Sequence, residues 1–348
     1  MKRTALPSTM RANVLVRAGE LANETRPVPA AAPDEVIVQV RAVGVCGSDV
    51  HYFHEGRIGD FVVDAPLVLG HEAGGVIVAV GADVDPARVG ERVSVEPQRP
   101  CRRCEYCRSG RYNLCPDIAF FATPPIDGAF AEFVAVPQDF AYAVPDAISD
   151  EAAALMEPLS VAIAAVQKAG VRPGSRLLIT GAGPIGIVTA QAARAFGATT
   201  IVVSDLMPER RDVALRFGAT QAVDPAVGPL GSDFDAFVDA SGSPVAVKQG
   251  IAALKPGGVA VLVGMGADEI ALPVSVIQNR ELVVTGVFRY ANTWPLAIEL
   301  VASGAVDLDA LVTGSFGLDE VRAALESAAR PSTLKSIVRP DHAIVSDS

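Results

Sequence analysis

The stretch Arg176-Leu177-Leu178-Ile179-Thr180-Gly181-Ala182-Gly183-Pro184-Ile185-Gly186 decides the architecture of this chain. Five residues with a buried-strand pattern run into a glycine-rich turn, and an apolar, alanine-rich segment continues to Phe196. Strand, G-x-G-x-x-G, helix is the order of a dinucleotide-binding unit. Gly181 allows the tight turn, Gly183 the approach of a pyrophosphate, and Gly186 the packing of helix on strand. The unpaired N–H groups and positive dipole of the helix start then face the phosphates. Pro184 fits there, because the first helical N–H has no partner inside the helix. The next apolar run, 200–204, ends at Asp205. A carboxylate there accepts from ribose hydroxyls and repels a 2′-phosphate, which favours NAD over NADP. The other readings stay open at this point: Asp205 as a loop cap, and Arg210 or Arg211 as partners of a 2′-phosphate.

Downstream, a helix through Phe217 and apolar strands at 236–239, 259–263 and 282–287 continue the alternation. This predicts a parallel, doubly wound sheet. Upstream, short valine-bearing runs at 36–40, 75–80, 92–95 and 132–136 are separated by Gly, Pro and Asp. They predict a β-rich, partly open barrel. A helical segment at 295–303 and a stretch ending at Val338 extend neither pattern. Two domains suit a chain of 348 residues, since one core seldom grows past roughly 250–300.

With a net charge of −11, the chain is expected to bind neither nucleic acid nor an anionic membrane. Lys2 and Arg3 are not followed by the apolar run of a secretory leader, and no segment approaches the ~20 apolar residues of a spanning helix. Five cysteines are an odd number and too few for a disulfide scaffold, so a reducing cytoplasm is expected.

Four of them form Cys101-x-x-Cys104-x-x-Cys107-x7-Cys115. Short spacings in one loop bring four soft ligands to a point, as a closed structural zinc site requires. The fifth, Cys46, precedes Gly47-Ser48-Asp49, and His51, His54 and His71 fall in the same region. Glu72 follows His71, and a further acid, Glu157, stands in Met156-Glu157-Pro158. Taken singly, each of these has an ordinary reading as core, cap or surface.

Together, Val45-Cys46-Gly47-Ser48-Asp49-Val50-His51-Tyr52, Gly70-His71-Glu72, the cysteine quartet and GAGPIG resemble the zinc-containing medium-chain dehydrogenases. The resemblance extends from Val36 to Arg339. Gly56-Arg57-Ile58-Gly59-Asp60-Phe61, Phe120-Phe121-Ala122-Thr123-Pro124-Pro125 and 287–295 are similar to the sorbitol and xylitol branch, as is Glu157 where simple-alcohol relatives carry cysteine.

The resemblance implies a GroES-like catalytic domain formed by 1–158 and 289–348, with a Rossmann NAD domain at 159–288. It implies that Cys46 and His71 bind a catalytic zinc directly, that Glu72 and Glu157 complete the set, directly or through the zinc-bound water in an order the sequence leaves open, and that Cys101, Cys104, Cys107 and Cys115 hold a structural zinc. Ser48 and His51 would carry the proton outward, and Asp49 would orient His71. Tyr52, Phe121, Arg289 and Tyr290 are assigned to the polyol pocket. Gly181, Gly183, Ile185, Gly186, Asp205, Arg210, Val263, Met265 and Phe288 are assigned to the cofactor. The implied activity is NAD-linked oxidation of a sugar alcohol such as sorbitol or xylitol, in a homo-tetramer or homo-dimer. Simple alcohols, L-threonine, a zinc-free quinone reductase and a non-catalytic nucleotide-binding protein are the alternatives.

Overall fold

The computed structural model describes residues 6–340 apart from 268, 329 and 331. It divides into two compact units: one runs to Glu157 and resumes at Leu308, the other is Pro158–Asp307.

The first unit is built on a seven-stranded sheet in the order Ala141–Ala143, Arg92–Val95, Glu72–Val80, Glu35–Gly44, Lys335–Arg339, Val312–Gly317, with Phe133–Pro137 also pairing Glu35–Gly44. All neighbours are antiparallel except the last two strands, which run parallel. A second sheet joins Glu20–Pro27, Thr9–Arg17 and Leu67–Val68. Val14, Val36, Val38, Ile77, Val93, Val95 and Phe130 meet in the enclosed core. β-Branched residues dominate these strands because their side chains pack well on a pleated surface, and Val36, Ile37 and Val38 are buried in succession. Two register shifts in Glu35–Gly44, at Ile37/Val38 and Val40/Ala42, bend that strand as bulges do. Three strand positions then come together: Gly44 stands opposite Glu72 on one side and Ile337 on the other.

The second unit carries a six-stranded, all-parallel sheet ordered Gln221–Val223, Thr200–Ser204, Arg176–Thr180, Phe234–Asp239, Leu254–Leu262, Val283–Gly286. The order reverses between Arg176–Thr180 and Phe234–Asp239, and ligands of such sheets bind beyond the carboxyl ends of the strands at that point. Leu178, Val202, Phe234, Phe237, Val247 and Ile251 form its core.

The return to the first domain, expected at 289, falls instead at Leu308. The intervening helix Trp294–Ala302 and the turn after it stay with the second unit. The buried Gln191 amide ties them there, donating to the Asp307 carbonyl at 3.1 Å and accepting from its N–H at 2.8 Å.

Candidate functional site

Cys46 caps the start of the helix Gly47–Glu55 in an extended conformation, φ −96° and ψ 157°. One carboxylate joins this turn to the turn that carries His71. Asp49 Oδ2 accepts from the Cys46 N–H and Oδ1 from the Gly70 N–H, both at 2.9 Å, with Asp49 fully buried. The His71 ring nitrogen Nδ1 lies 3.8 Å from Asp49 Oδ1. That is too long for a hydrogen bond, so Asp49 positions His71 through the backbone. Burial raises the Asp49 carboxyl above its usual range, against the opposing pull of His71 and the two amides.

Ligand atoms of Cys46, His71 and Glu72 lie within 4.8 Å of one another. Glu157 is buried but stands outside this trio. Burial by itself would depress the His71 imidazole; the facing Cys46, Asp49 and Glu157 outweigh it and hold the ring up at about 10. The groups converging on the ring thus favour positive charge at this point. A divalent cation satisfies the same field and leaves the ring neutral, and sulfur, imidazole and carboxylate are a donor set that suits zinc.

Glu72 also faces a cation that nothing in the local sequence announced. Lys335 Nζ is buried and donates to Glu72 Oε1 and, at 3.1 Å, to the Val45 carbonyl. Burial lowers an ammonium pKa, yet Glu72 and Cys46 raise that of Lys335 above its ordinary value.

The second cluster is the cysteine quartet, whose four sulfurs also fall within 4.8 Å of one another. All are free thiols, with Cys104 and Cys107 Sγ 3.4 Å apart. Backbone N–H groups point at the sulfurs: Cys104 to Cys101, Cys107 to Cys104, and Cys101 to Cys115, at 3.3–3.4 Å. Amides of Arg103 and Cys104 hold Cys101 down at about 6. Cys107 is pushed up to about 12 by desolvation and by the neighbouring thiols. One thiolate forms at the expense of its neighbours, so a divalent cation is what lets all four ionise together. The quartet fits a structural zinc.

In the second unit the glycine-rich turn has the backbone its sequence requires. Gly181 has φ +89°, and a Cβ on Gly186 would stand 1.9 Å from the Gly181 carbonyl oxygen. The helix Pro184–Ala195 starts immediately after, with Pro184 at its first turn. Asp205 Oδ2 accepts from the Ala182 N–H at 2.8 Å and Oδ1 from the Met207 N–H at 2.9 Å. Arg211 is committed to the Asp205 and Leu206 carbonyls and to Asp224. Arg210 instead extends over the turn, its Nη1 3.2 Å from where a Cβ on Gly183 would sit. At the switch point, the buried Asp239 carboxylate takes the Thr180 hydroxyl at 2.8 Å, the Ser241 hydroxyl at 2.6 Å and the Gly242 N–H at 3.0 Å. Asp239 latches the end of the strand before Gly181 to the turn that follows its own strand. The sequence reading missed it, because a lone Asp ending a strand looks like any turn residue.

Residues 32–146 match the family described as Alcohol dehydrogenase GroES-like domain, and 184–303 match Zinc-binding dehydrogenase. Sorbitol dehydrogenase of Bacillus subtilis (strain 168) is 44% identical, covering 97% of this chain and 99% of its own. This chain belongs to the zinc-binding dehydrogenases. A probable D-xylulose reductase A of Aspergillus clavatus is 42% identical over 90% of this dehydrogenase and 92% of its own length. An alcohol dehydrogenase of Escherichia coli CFT073, solved with NADH, superposes with a TM-score of 0.90 at 28% identity, covering 96% and 100% of the two chains.

The remaining expected residues of this dehydrogenase fall into two groups. In the first unit, Ser48 is half-buried and His51 exposed on the same helix, His51 Nδ1 lying 3.2 Å from Glu55 Oε1. Tyr52 is buried on the core side of that helix. Phe121 does not join the metal cluster. Its neighbour Phe120 does, the ring centroid 5.7 Å from that of His71. Phe121 lines a separate cavity of about 410 Å³ with Glu96, Gln98 and Phe133. Phe120 ends the strand Ala119–Phe120 and Phe121 opens the turn after it, so the two rings meet different surroundings.

In the second unit, Arg289 has φ 55° and its guanidinium stacks on Phe288 at 4.7 Å. Tyr290 is buried edge-on to Trp294 at 5.1 Å. Met265 and Phe288 are about half exposed, and Val263 is partly buried with its N–H on the Asp239 carbonyl at 2.9 Å. Ile185 is partly buried in the first turn after Gly183. Among the described residues no helix is long and apolar enough to cross a membrane.

Proposed function

We propose that this dehydrogenase oxidises a secondary hydroxyl of a polyol, such as sorbitol or xylitol, to the ketose while reducing NAD. The convergence of Cys46, His71 and Glu72 on one point carries the reading. Those residues, with Glu157, would hold zinc, which supplies a Lewis acid that makes the substrate hydroxyl acidic near neutral pH. The C–H bond yields a hydride to the nicotinamide, and the hydroxyl proton leaves through Ser48 to the exposed His51. Asp49 keeps the two ligand-bearing turns in register. Phe120 walls the site beside His71. Tyr52, Arg289 and Tyr290 offer donors for the many hydroxyls of a polyol, and buried donors penalise a substrate lacking the matching hydroxyl.

Asp205 with the Gly181–Gly186 turn selects NAD, and Ile185, Arg210, Val263, Met265 and Phe288 line the rest of the cofactor site. The five free thiols fit the reducing cytoplasm. The assembly would be a homo-tetramer or homo-dimer, read by light scattering.

The test is a panel of four- to six-carbon polyols, ethanol and L-threonine with NAD and NADP. NAD-linked polyol oxidation is expected, and Cys46→Ser should reduce turnover by more than the 10–100-fold typical of outer-sphere changes while leaving NAD affinity intact. A preference for ethanol or threonine, or full turnover in Cys46→Ser, overturns the reading.

A further inference from the structure

Burying two opposite charges costs several kcal/mol per ion, and a well-packed apolar pair of similar volume often serves stability as well or better. The fully enclosed pair of Glu72 and Lys335 therefore calls for an explanation beyond folding. Its position supplies one. Glu72 opens its strand directly opposite Gly44, and Lys335 opens a strand that flanks Gly44 on the other side. A Cβ on Gly44 would stand 2.0 Å from Glu72 Oε2, so glycine alone leaves room for the carboxylate. Glu72 Oε2 is buried without a hydrogen-bond partner, whereas Oε1 is taken by Lys335. The same ammonium donates to the Val45 carbonyl, one residue before Cys46. Lys335 thus touches both ligand-bearing segments without offering the metal a ligand itself.

We propose that Lys335 is a positioning residue for the metal centre: it claims one oxygen of Glu72, balances the negative charge of the ligand set, and so leaves a coordination position open for substrate. The inference rests on the zinc reading above and extends it to a residue far away in sequence. Without the ammonium, Glu72 is an unpaired buried carboxylate with one remaining cationic neighbour, the metal. It would turn both oxygens to that ion.

The test uses zinc enzyme and enzyme with cobalt exchanged at the Cys46 centre, as wild type, Lys335→Met, Lys335→Arg and the double variant Glu72→Gln with Lys335→Met. Visible cobalt absorption falls as coordination number rises, and release to a chelator reports how firmly the ion is held. Lys335→Met is expected to lower the absorption, slow metal release at least about tenfold, and lower kcat by the 10–100-fold typical of groups supporting metal ligands. Lys335→Arg and the double variant are expected to restore the spectrum. A wild-type spectrum and release rate in Lys335→Met, even with a lower melting temperature, overturn the proposal. Should Lys335→Met not fold, Glu72→Gln alone decides. Faster release is expected from the unpaired ammonium, and an unchanged rate overturns the idea. Absence of metal beside Cys46 in active wild-type enzyme sinks the zinc reading itself, so the two failures are distinguishable.

Discussion

The carboxylate of Asp205 accepts a hydrogen bond from the N–H of Ala182 at 2.8 Å, so the end of one strand supports the glycine turn that follows the neighbouring strand. The acid that would read the ribose is held by the loop that would hold the pyrophosphate. Capping and recognition, which look like rival roles in the sequence, are thus compatible in one side chain.

Asp205→Ala is therefore expected to act twice. It removes a charged acceptor worth about 1.5–3 kcal/mol, some 10–150-fold in kcat/KM for NAD. It also removes the repulsion of a 2′-phosphate, so the NADP-to-NAD ratio of kcat/KM should rise as the NAD value falls. Parallel initial-rate measurements with both cofactors check this. An unchanged ratio would remove Asp205 from cofactor choice.

The cysteine quartet predicts the opposite balance between folding and chemistry. Cys104 starts the short helix Glu105–Arg108, and its sulfur accepts from the Cys107 N–H. Cys104→Ser should release one zinc per chain and lower the melting temperature by several degrees, at about 2–4 °C per kcal/mol for a unit of this size. Polyol turnover per folded molecule should change far less than in Cys46→Ser. Metal content beside calorimetry reads both, and an unchanged melting temperature with full metal loss would contradict a structural role.

What the sequence disclosed and what it hid follow from where the signals lie. Strands Arg176–Thr180 and Thr200–Ser204 occupy the expected positions, since a parallel strand buried on both faces leaves an unbroken apolar run. Leu254–Leu262 begins earlier than expected because Pro256-Gly257-Gly258 reads as a turn, although it lies within the strand. The ligand types at Cys46, His71 and Glu72 are legible as a motif. Lys335 is not, because nothing within its own strand distinguishes a buried ammonium from a surface one and its partner lies 263 residues away. Phe120 and Phe121 are ambiguous for a finer reason: a motif fixes the pair, but only the turn that begins at Phe121 decides which ring lies beside His71. The return at Leu308 was hidden too, because contacts that keep Asp307 with the second unit, such as those of Gln191, span 116 residues.

Glu96 gives the fold a pH dependence. Its carboxylate is buried, and the Tyr112 hydroxyl and Gln98 amide donate to Oε1 at 2.9 and 2.5 Å. Burial nonetheless raises its pKa to about 7. A carboxyl whose pKa is higher folded than unfolded binds its proton more tightly in the native state. It therefore contributes stability below the unfolded value of roughly 4.3, and that contribution is lost as pH rises through about 7. The change is on the order of a few kcal/mol, at about 1.4 per pKa unit. Glu96→Gln should flatten urea-unfolding stability between about pH 4 and 7, the window spanned by the two pKa values. An equal slope in variant and wild type would show that Glu96 titrates normally.

The two phenylalanines separate a wall of the site from a wall of the neighbouring cavity. Phe120 is buried against His71, and Phe121 is partly buried in the cavity beside Glu96 and Phe133. Truncation to alanine removes packing in both, and a buried Phe→Ala costs about 3–5 kcal/mol, so both variants should melt earlier, Phe120→Ala more so. Kinetics should divide them. Phe120→Ala loosens the surface facing His71 and should raise KM for polyols and lower kcat. Phe121→Ala should keep both constants near wild type at temperatures where it stays folded. If Phe121→Ala carried the kinetic defect and Phe120→Ala did not, Phe121 rather than Phe120 would face the site.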